Sequence, residues 1–315
     1  MTPLDIFNKN IKNSQILPTL FAIGSYLGIL TLFILLENNT FPVTKQGFFC
    51  NDDSIKYPYQ AETVAVGPSF LIYLTGTVST FVIGEITSNS GSSKHNGGRT
   101  RGHGRSNFGN HMWFIRVIKL MFMCSWSSSL TSTLSSTIKT VVGRPRPNFL
   151  AVCNPNITCT PDNTQFNTDY ECQGTELLGD WKRLNTDEKK MRGVNQARRS
   201  FPSGHAAHSA SVATFAFLYI EKRIKTPESN MLVLLKPLMQ LAWIGVALFI
   251  GMSRVKDYYH HLDDVIFGAI LGMMVSFIVG RNCMKWLINS NTFSEKFESN
   301  KVVPRNVRCQ TNKSV

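Results

Sequence analysis

The feature that most constrains this chain is the gathering of its apolar residues into long blocks, with the charges held between them. Ile16 to Leu36, Thr63 to Gly84 and Leu120 to Ile138 contain no charged residue, and each is near the length a helix needs to cross about 30 Å of hydrocarbon. The third is rich in Ser and Thr, including Ser127, Ser128, Ser129, Thr131 and Ser135. Hydroxyls in a membrane helix bond their own backbone or a neighbouring helix, so this span reads as facing protein rather than lipid. Ala206 to Ile220, Pro237 to Ser253 and Val265 to Gly280 are shorter and serve as spans if their polar ends reach the interface. The alternative, core helices of a soluble domain, is weakened by the three longer runs beside them. The first run lacks the small-residue cleavage site of a signal peptide. The expectation is an all-α, six-transmembrane-helix integral membrane bundle.

Net charge is +13, which fits either nucleic-acid binding or the Lys/Arg bias of cytoplasmic loops. The apolar blocks favour the second, and no nucleic-acid partner is expected. With six spans, both termini share one side with Glu85 to Lys119, where Lys94, Arg99, Arg101, Arg105, Arg116 and Lys119 stand against Glu85. On the other side, Asp52, Asp53 and Glu62 outweigh Lys45 and Lys56. The termini are therefore read as cytoplasmic. The expected organisation is a cytoplasmic N-terminal segment, 1–15, then a six-span domain, 16–283, then a cytoplasmic tail, 284–315. Within the domain, the Gly-, Ser- and Arg-rich stretch 88–110 reads as a flexible cytoplasmic loop and 139–202 as a long outer loop.

Outer placement of that loop agrees with a glycosylation sequon, Asn156-Ile-Thr158. A second sequon at Asn38 hugs the end of the first span. Of seven cysteines, Cys50, Cys153, Cys159 and Cys172 fall on the outer side; they allow three pairings, and the sequence does not choose among them or against free thiols.

Three polar clusters interrupt the apolar blocks: Lys139 to Pro147, Phe201 to His205, and Ser253 to Asp264. In a six-span arrangement all three emerge on one face. Lys139, Arg146 and Arg254 are cations at the bilayer edge, suited to the charge that phosphoryl transfer spreads over three equatorial oxygens, without a metal. Taken singly, each also fits a snorkelling interfacial residue. Pro202-Ser203-Gly204-His205 opens the fourth span. Gly204 permits close backbone approach, a helix start aims N–H groups at an anion, and His205 has the near-neutral pKa of a proton donor to a leaving alkoxide. The same four residues also fit an ordinary helix cap. His260 and Asp264, four apart, meet on a helix, where a carboxylate on one imidazole nitrogen leaves the other free to attack phosphorus. A metal site from His205, His208, His260, His261, Asp263 and Asp264 is the rival, opposed by the nearby cations.

Together the clusters resemble the type 2 phosphatidic acid phosphatase superfamily, with its motifs K-x6-R-P, P-S-G-H and S-R-x5-H-x3-D. Here they read Lys139 with Arg146-Pro147, Pro202 to His205, and Ser253-Arg254 with His260 and Asp264. The run Gly47 to Tyr59 resembles the first outer loop of animal lipid phosphate phosphatases, and the likeness covers roughly Ile16 to Gly280. It implies metal-independent hydrolysis of lipid phosphate monoesters through a phosphohistidine on the outer or lumenal face, with no cofactor. Carried over, His260 is the nucleophile, Asp264 its orienting partner, and His205 the general acid and then base. Lys139, Arg146, Arg254, Ser203 and Gly204 bind phosphate. Arg144 and His261 fall outside the motif register. Implied substrates are phosphatidate, lysophosphatidate, ceramide 1-phosphate and sphingosine 1-phosphate, in the plasma membrane or an endomembrane; a homo-oligomer is compatible with the reading. Rival readings are a relative acting on a non-lipid or isoprenoid phosphate, and an inactive relative that binds lipid or scaffolds partners.

Overall fold

The computed structural model describes residues 16–38, 40–94, 106–159, 164–174, 186–224 and 231–301. The N-terminal segment 1–15, the middle of the expected loop 88–110 and the last part of the tail lie outside them. Six long helices dominate: α1 (Ile16–Glu37), α2 (Val66–Lys94), α3 (Ser106–Val142), α6 (Gly204–Arg223), α7 (Leu235–Lys256) and α8 (Leu262–Lys301). Two short ones, α4 (Phe149–Cys153) and α5 (Thr186–Ala197), lie between α3 and α6. Helices α2 and α3 run into the expected loop from both ends, as far as Lys94 and from Ser106.

A bilayer interior offers no water to backbone N–H and C=O groups, so apolar runs of this length satisfy them internally, as helix. Among the described residues, four segments are long and apolar enough to cross a membrane: Thr19–Glu37, Val66–Ser88, Leu235–Lys256 and Leu262–Lys285. These carry exposed side chains such as Phe21, Phe70, Leu248 and Phe277, a surface suited to lipid tails rather than water. Helices α3 and α6 fall short on composition, and their positions explain why. Helix α6 touches α2, α3, α7 and α8, and α3 touches α1, α2, α6 and α8. A helix surrounded by helices has no need of an apolar exterior, and its hydroxyls turn inward. Thr131 Oγ1 donates to the Ser127 carbonyl at 3.0 Å, and Thr140 Oγ1 to the Ser136 carbonyl at 2.9 Å. Close approach of α8 to α6 depends on Gly268 and Gly272: a Cβ on either would collide with the backbone oxygen of Ser203 or Ala207. This is the small-residue spacing that lets membrane helices touch backbone to backbone.

The long helices alternate in direction, so one face of the bundle collects the C-terminal ends of α1, α3 and α7 and the N-terminal ends of α2, α6 and α8. Contacts join these ends directly: Arg199 to Glu37, Arg254 to Val64, and Ser203 to Asp264. The opposite end is tied by Glu85, wholly buried on α2, which accepts from Arg223 at 2.8 and 2.9 Å and from Tyr219 at 3.1 Å.

A small cap covers the first face. Strands β1 (Phe48–Phe49) and β2 (Phe166–Asn167) pair antiparallel, Phe48 opposite Asn167 and Phe49 opposite Phe166. Phe48, Ile55, Phe149, Val152 and Tyr170 form the core of the cap. Disulfides Cys50–Cys159 and Cys153–Cys172 staple it, one arrangement of the three the sequence leaves open. Asn156 lies exposed on the same cap, its Oδ1 accepting from the Glu171 N–H at 3.0 Å.

Candidate active site

Under the cap, the helix ends enclose a cavity of about 900 Å³. Lys139, Arg146, Gly204, His205, Arg254 and His260 all line it. Residues more than a hundred positions apart in the chain thus share one wall. Apolar side chains, among them Leu30, Phe33 and Phe70, line the cavity as well.

Each cation is held differently. Lys139 stands in the last turn of α3 and is buried. It passes beside Gly204, where an added Cβ would sit 3.0 Å from its Nζ, so a larger residue there would crowd the ammonium. Arg146 is fixed by its backbone, whose N–H donates to the Ala197 carbonyl at 2.8 Å and whose carbonyl accepts from Phe149 at 2.9 Å. Its guanidinium lies over the Tyr259 ring at 5.1 Å. Burial pulls that guanidinium down to about 10, which leaves it charged at neutral pH. Arg254, 1% exposed, donates from Nη2 to the Val64 carbonyl at 2.8 Å and to Ser253 Oγ at 3.1 Å; Glu62 and Asp257 lie 3.6 and 3.4 Å from its guanidinium. Arg146 Nε, Arg254 Nη1 and His205 Nε2 are buried with no hydrogen-bond partner among the described residues, Glu62 standing 3.6 Å from Arg254 Nη1. Buried polar groups are ordinarily paired, so these nitrogens, on residues lining one cavity, are open to a ligand that accepts hydrogen bonds.

His260 sits in the turn between α7 and α8, after Tyr258 at φ +60°. Its Nδ1 is 2.7 Å from the carbonyl oxygen of Ser200. A carbonyl only accepts, so Nδ1 carries the proton and Nε2 keeps its lone pair. Burial, with Arg146 and Lys139 beside it, holds the imidazole down to about 3, partly offset by Asp264, so the ring is neutral at physiological pH.

Asp264 is 3.8 Å from His260 Nδ1, an electrostatic contact longer than a hydrogen bond. Its oxygens accept instead from Ser200 Oγ at 2.5 Å, the His261 N–H at 2.9 Å and Arg144 Nη1 at 2.6 Å. Ser203 also lies behind the cavity wall: it is the N-cap of α6, its hydroxyl accepting from the Ala206 N–H at 3.4 Å and its own N–H donating to the Asp264 carbonyl at 2.9 Å. Ser203 thus serves as a helix cap whose hydroxyl accepts from Ala206, and the hydrogen bond at His260 Nδ1 runs to the Ser200 backbone rather than directly to Asp264.

Sequence reasoning missed several residues of the site. Arg144 grips Asp264 and Asp263, and His261 Nε2 lies 3.2 Å from the Pro145 carbonyl. Glu37 lines the cavity and accepts from Ser136 at 2.6 Å and Arg199 at 2.9 Å. A carboxylate directly ending the first apolar run was the available signal. The residues weighed as metal ligands do not gather into one site: among the described residues no three His, Cys, Asp or Glu side chains form a metal-binding group.

The sequence profile of the PAP2 superfamily matches residues 119–287, which holds all three polar clusters. Phospholipid phosphatase 2 of Homo sapiens is 32% identical over 241 residues, covering 74% of this chain and 71% of its own. Phospholipid phosphatase 1 of Mus musculus is 29% identical over 266 residues, 84% of each chain. A protein of Caenorhabditis elegans named phospholipid phosphatase homolog 1.2 homolog is 32% identical over 273 residues, covering 86% of this chain and 74% of its own. No solved structure matches.

Proposed function

Because the chain belongs to the PAP2 superfamily, we propose that it is an integral membrane phosphatase that strips phosphate from lipid phosphate monoesters through a phosphohistidine on His260. The observation that carries the reading is the cavity itself. Lys139, Arg146 and Arg254 share its wall with the imidazoles of His205 and His260, and apolar side chains such as Leu30, Phe33 and Phe70 line it too.

In the first step Lys139, Arg146 and Arg254 bind the phosphoryl oxygens and offset their charge. The Nε2 lone pair of His260 attacks phosphorus, and the bond from phosphorus to the lipid oxygen breaks. Burial, with Arg254 and Lys139 beside it, holds the His205 imidazole well below its ordinary range; the negative charge of the bound phosphate draws a proton onto it, and His205 gives that proton to the lipid oxygen, so a neutral lipid alcohol leaves. The phosphorylated imidazolium keeps its Nδ1 proton on the Ser200 carbonyl and gains from the Asp264 charge 3.8 Å away. In the second step His205, now neutral, takes a proton from water as its oxygen attacks phosphorus. Inorganic phosphate leaves and His260 recovers its lone pair.

Substrates of the phosphatidate, lysophosphatidate, ceramide 1-phosphate and sphingosine 1-phosphate type suit a cavity lined both by cations and by Leu30, Phe33 and Phe70. We read the chain as a single six-span domain, 16–283, with both termini cytoplasmic. The alternating helices support six spans. Two disulfides in the cap support an outer or lumenal site, since such bonds persist in oxidising compartments. The exposed Asn156 on that cap supports the same side.

The test is phosphate release from lipid, isoprenoid and soluble phosphate esters by the purified protein in excess chelator. Hydrolysis of the lipid monoesters is expected, with loss in His260→Ala. Activity confined to soluble or isoprenoid phosphates, or near-wild-type turnover by His260→Ala, overturns the proposal.

A further inference from the structure

We infer that Tyr73, Ser132 and His208 form a second polar station in the cavity, which reads the hydrogen-bonding linkage joining phosphate to hydrocarbon in the lipid. The inference rests on the phosphatase reading and narrows its substrate class. The favoured substrates are monophosphates that carry an ester, amide or hydroxyl group close to the phosphorylated carbon.

All three residues line the same cavity as His205 and Lys139. His208 follows His205 by three residues on α6, about one helical turn deeper in the bundle. Ser132 precedes Lys139 by seven residues on α3, roughly 10 Å along the helix axis. Both therefore lie on the bundle side of the phosphate-binding groups. His208 Nδ1 is 3.1 Å from Ser132 Oγ, which fixes the ring and leaves Nε2 for a ligand. The ring of Tyr73, on α2, lies 5.0 Å from that of His208. The Tyr73 hydroxyl is buried with Ser209 as its polar neighbour; no contact it makes among the described residues has hydrogen-bond geometry, and Ser209 directs its own proton to the Ala206 carbonyl at 3.1 Å.

The proposed catalytic steps use none of these groups. An alkyl chain has no use for them either, and an unmet buried hydroxyl is costly beside hydrocarbon. A lipid whose phosphate is held at Lys139 brings its linkage, a few bonds further on, to this depth. A carbonyl there accepts from Tyr73, and a hydroxyl or amide engages His208 Nε2. A site built to pair a polar group rejects an analogue that lacks it, because the pocket is left unsatisfied.

The experiment compares kcat/KM for lysophosphatidate and for a plain alkyl monophosphate of equal chain length in the same mixed micelles. The wild type is expected to favour lysophosphatidate. In Tyr73→Phe and His208→Ala that preference falls about tenfold, the worth of about one hydrogen bond. His208→Gln, which keeps a donor, restores part of it. Tyr73→Phe changes no shape, so it stands even where His208→Ala fails to fold. An unchanged ratio in Tyr73→Phe and the folded His208 variants, whatever the absolute rates, overturns this inference and leaves the phosphatase reading intact. Failure of the wild type to hydrolyse either lipid overturns both.

Discussion

His260 Nδ1–H donates a hydrogen bond to the backbone carbonyl of Ser200 at 2.7 Å, so the imidazole tautomer is fixed by the main chain. The residue expected from the sequence to do this, Asp264, stands 3.8 Å off and is occupied by Arg144, Ser200 and the His261 N–H.

Asp264→Asn is therefore expected to cost less than it would in a triad where the carboxylate sets the tautomer, a change worth about 10⁴-fold. The Ser200 carbonyl still selects the reactive form, and what is lost is charge beside the phosphorylated imidazolium of the proposed mechanism. A fall in kcat of roughly 10- to 100-fold is expected, estimated from the 1.4 kcal/mol carried by each tenfold step. Single-turnover rates with thermal unfolding on the same preparation check it. A loss near 10⁴-fold in a normally folded variant would give Asp264 the direct role.

The difference between these two views of Asp264 shows where the sequence was legible. Helix-scale features were readable because lipid imposes them: long uncharged runs, cations at their ends, and three clusters on one face. Spacing also placed His260 and Asp264 on neighbouring positions. It carried nothing about which atoms meet, since Ser200 acts through a backbone oxygen that every residue possesses. Ser203 shows the same limit, its hydroxyl having been equally open to a cap or a ligand. Arg144 falls outside the motif register, yet the turn after α3 aims it at Asp264. The hydroxyl-rich α3 was correctly read as facing protein, and the disulfide pairing became definite only once the cap was folded.

Burial of a neutral imidazole makes stability depend on pH. His260 titrates near 3 in the folded protein, against about 6.5 when unfolded. Below pH 6.5 the unfolded chain binds a proton that the folded site refuses, so stability falls as pH drops from 6.5 towards 3. The slope from this one group reaches at most about 1.4 kcal/mol per pH unit. In His260→Asn, which cannot titrate, unfolding temperature in detergent should fall less steeply between pH 7 and pH 5 than in the wild type. Parallel curves would mean that His260 does not contribute to the acid sensitivity.

The Cys153–Cys172 bridge closes a short loop in the cap, with a sequence separation of 19. Loop-closure entropy for that length is worth about 3 kcal/mol. Replacing both cysteines with Ala should lower the unfolding temperature and loosen the segment carrying Tyr170, whose hydroxyl donates to the Gln46 carbonyl at 2.8 Å. Because the cap roofs the cavity, KM is expected to rise more than kcat falls. Unchanged unfolding in the double variant would show that the bridge is absent from the mature protein.

Arg254→Lys preserves the charge of the site and removes its fork. The Arg254 guanidinium uses Nε and Nη2 to hold Ser253 Oγ and the Val64 carbonyl, and in the proposed mechanism this anchoring leaves Nη1 to meet the phosphoryl group. A lysine ammonium is a single nitrogen that cannot reach the anchors and the ligand together. Glu62 and Asp257, now beside a mobile cation, are free to draw it away from the cavity. The expected result is a drop in kcat/KM of about 100-fold, the worth of one charge-assisted hydrogen bond lost in the transition state. Steady-state kinetics on lysophosphatidate, beside a matched unfolding curve, make the comparison. A drop below about threefold would mean that any cation at this position suffices, and Arg254 would be reduced to general electrostatics.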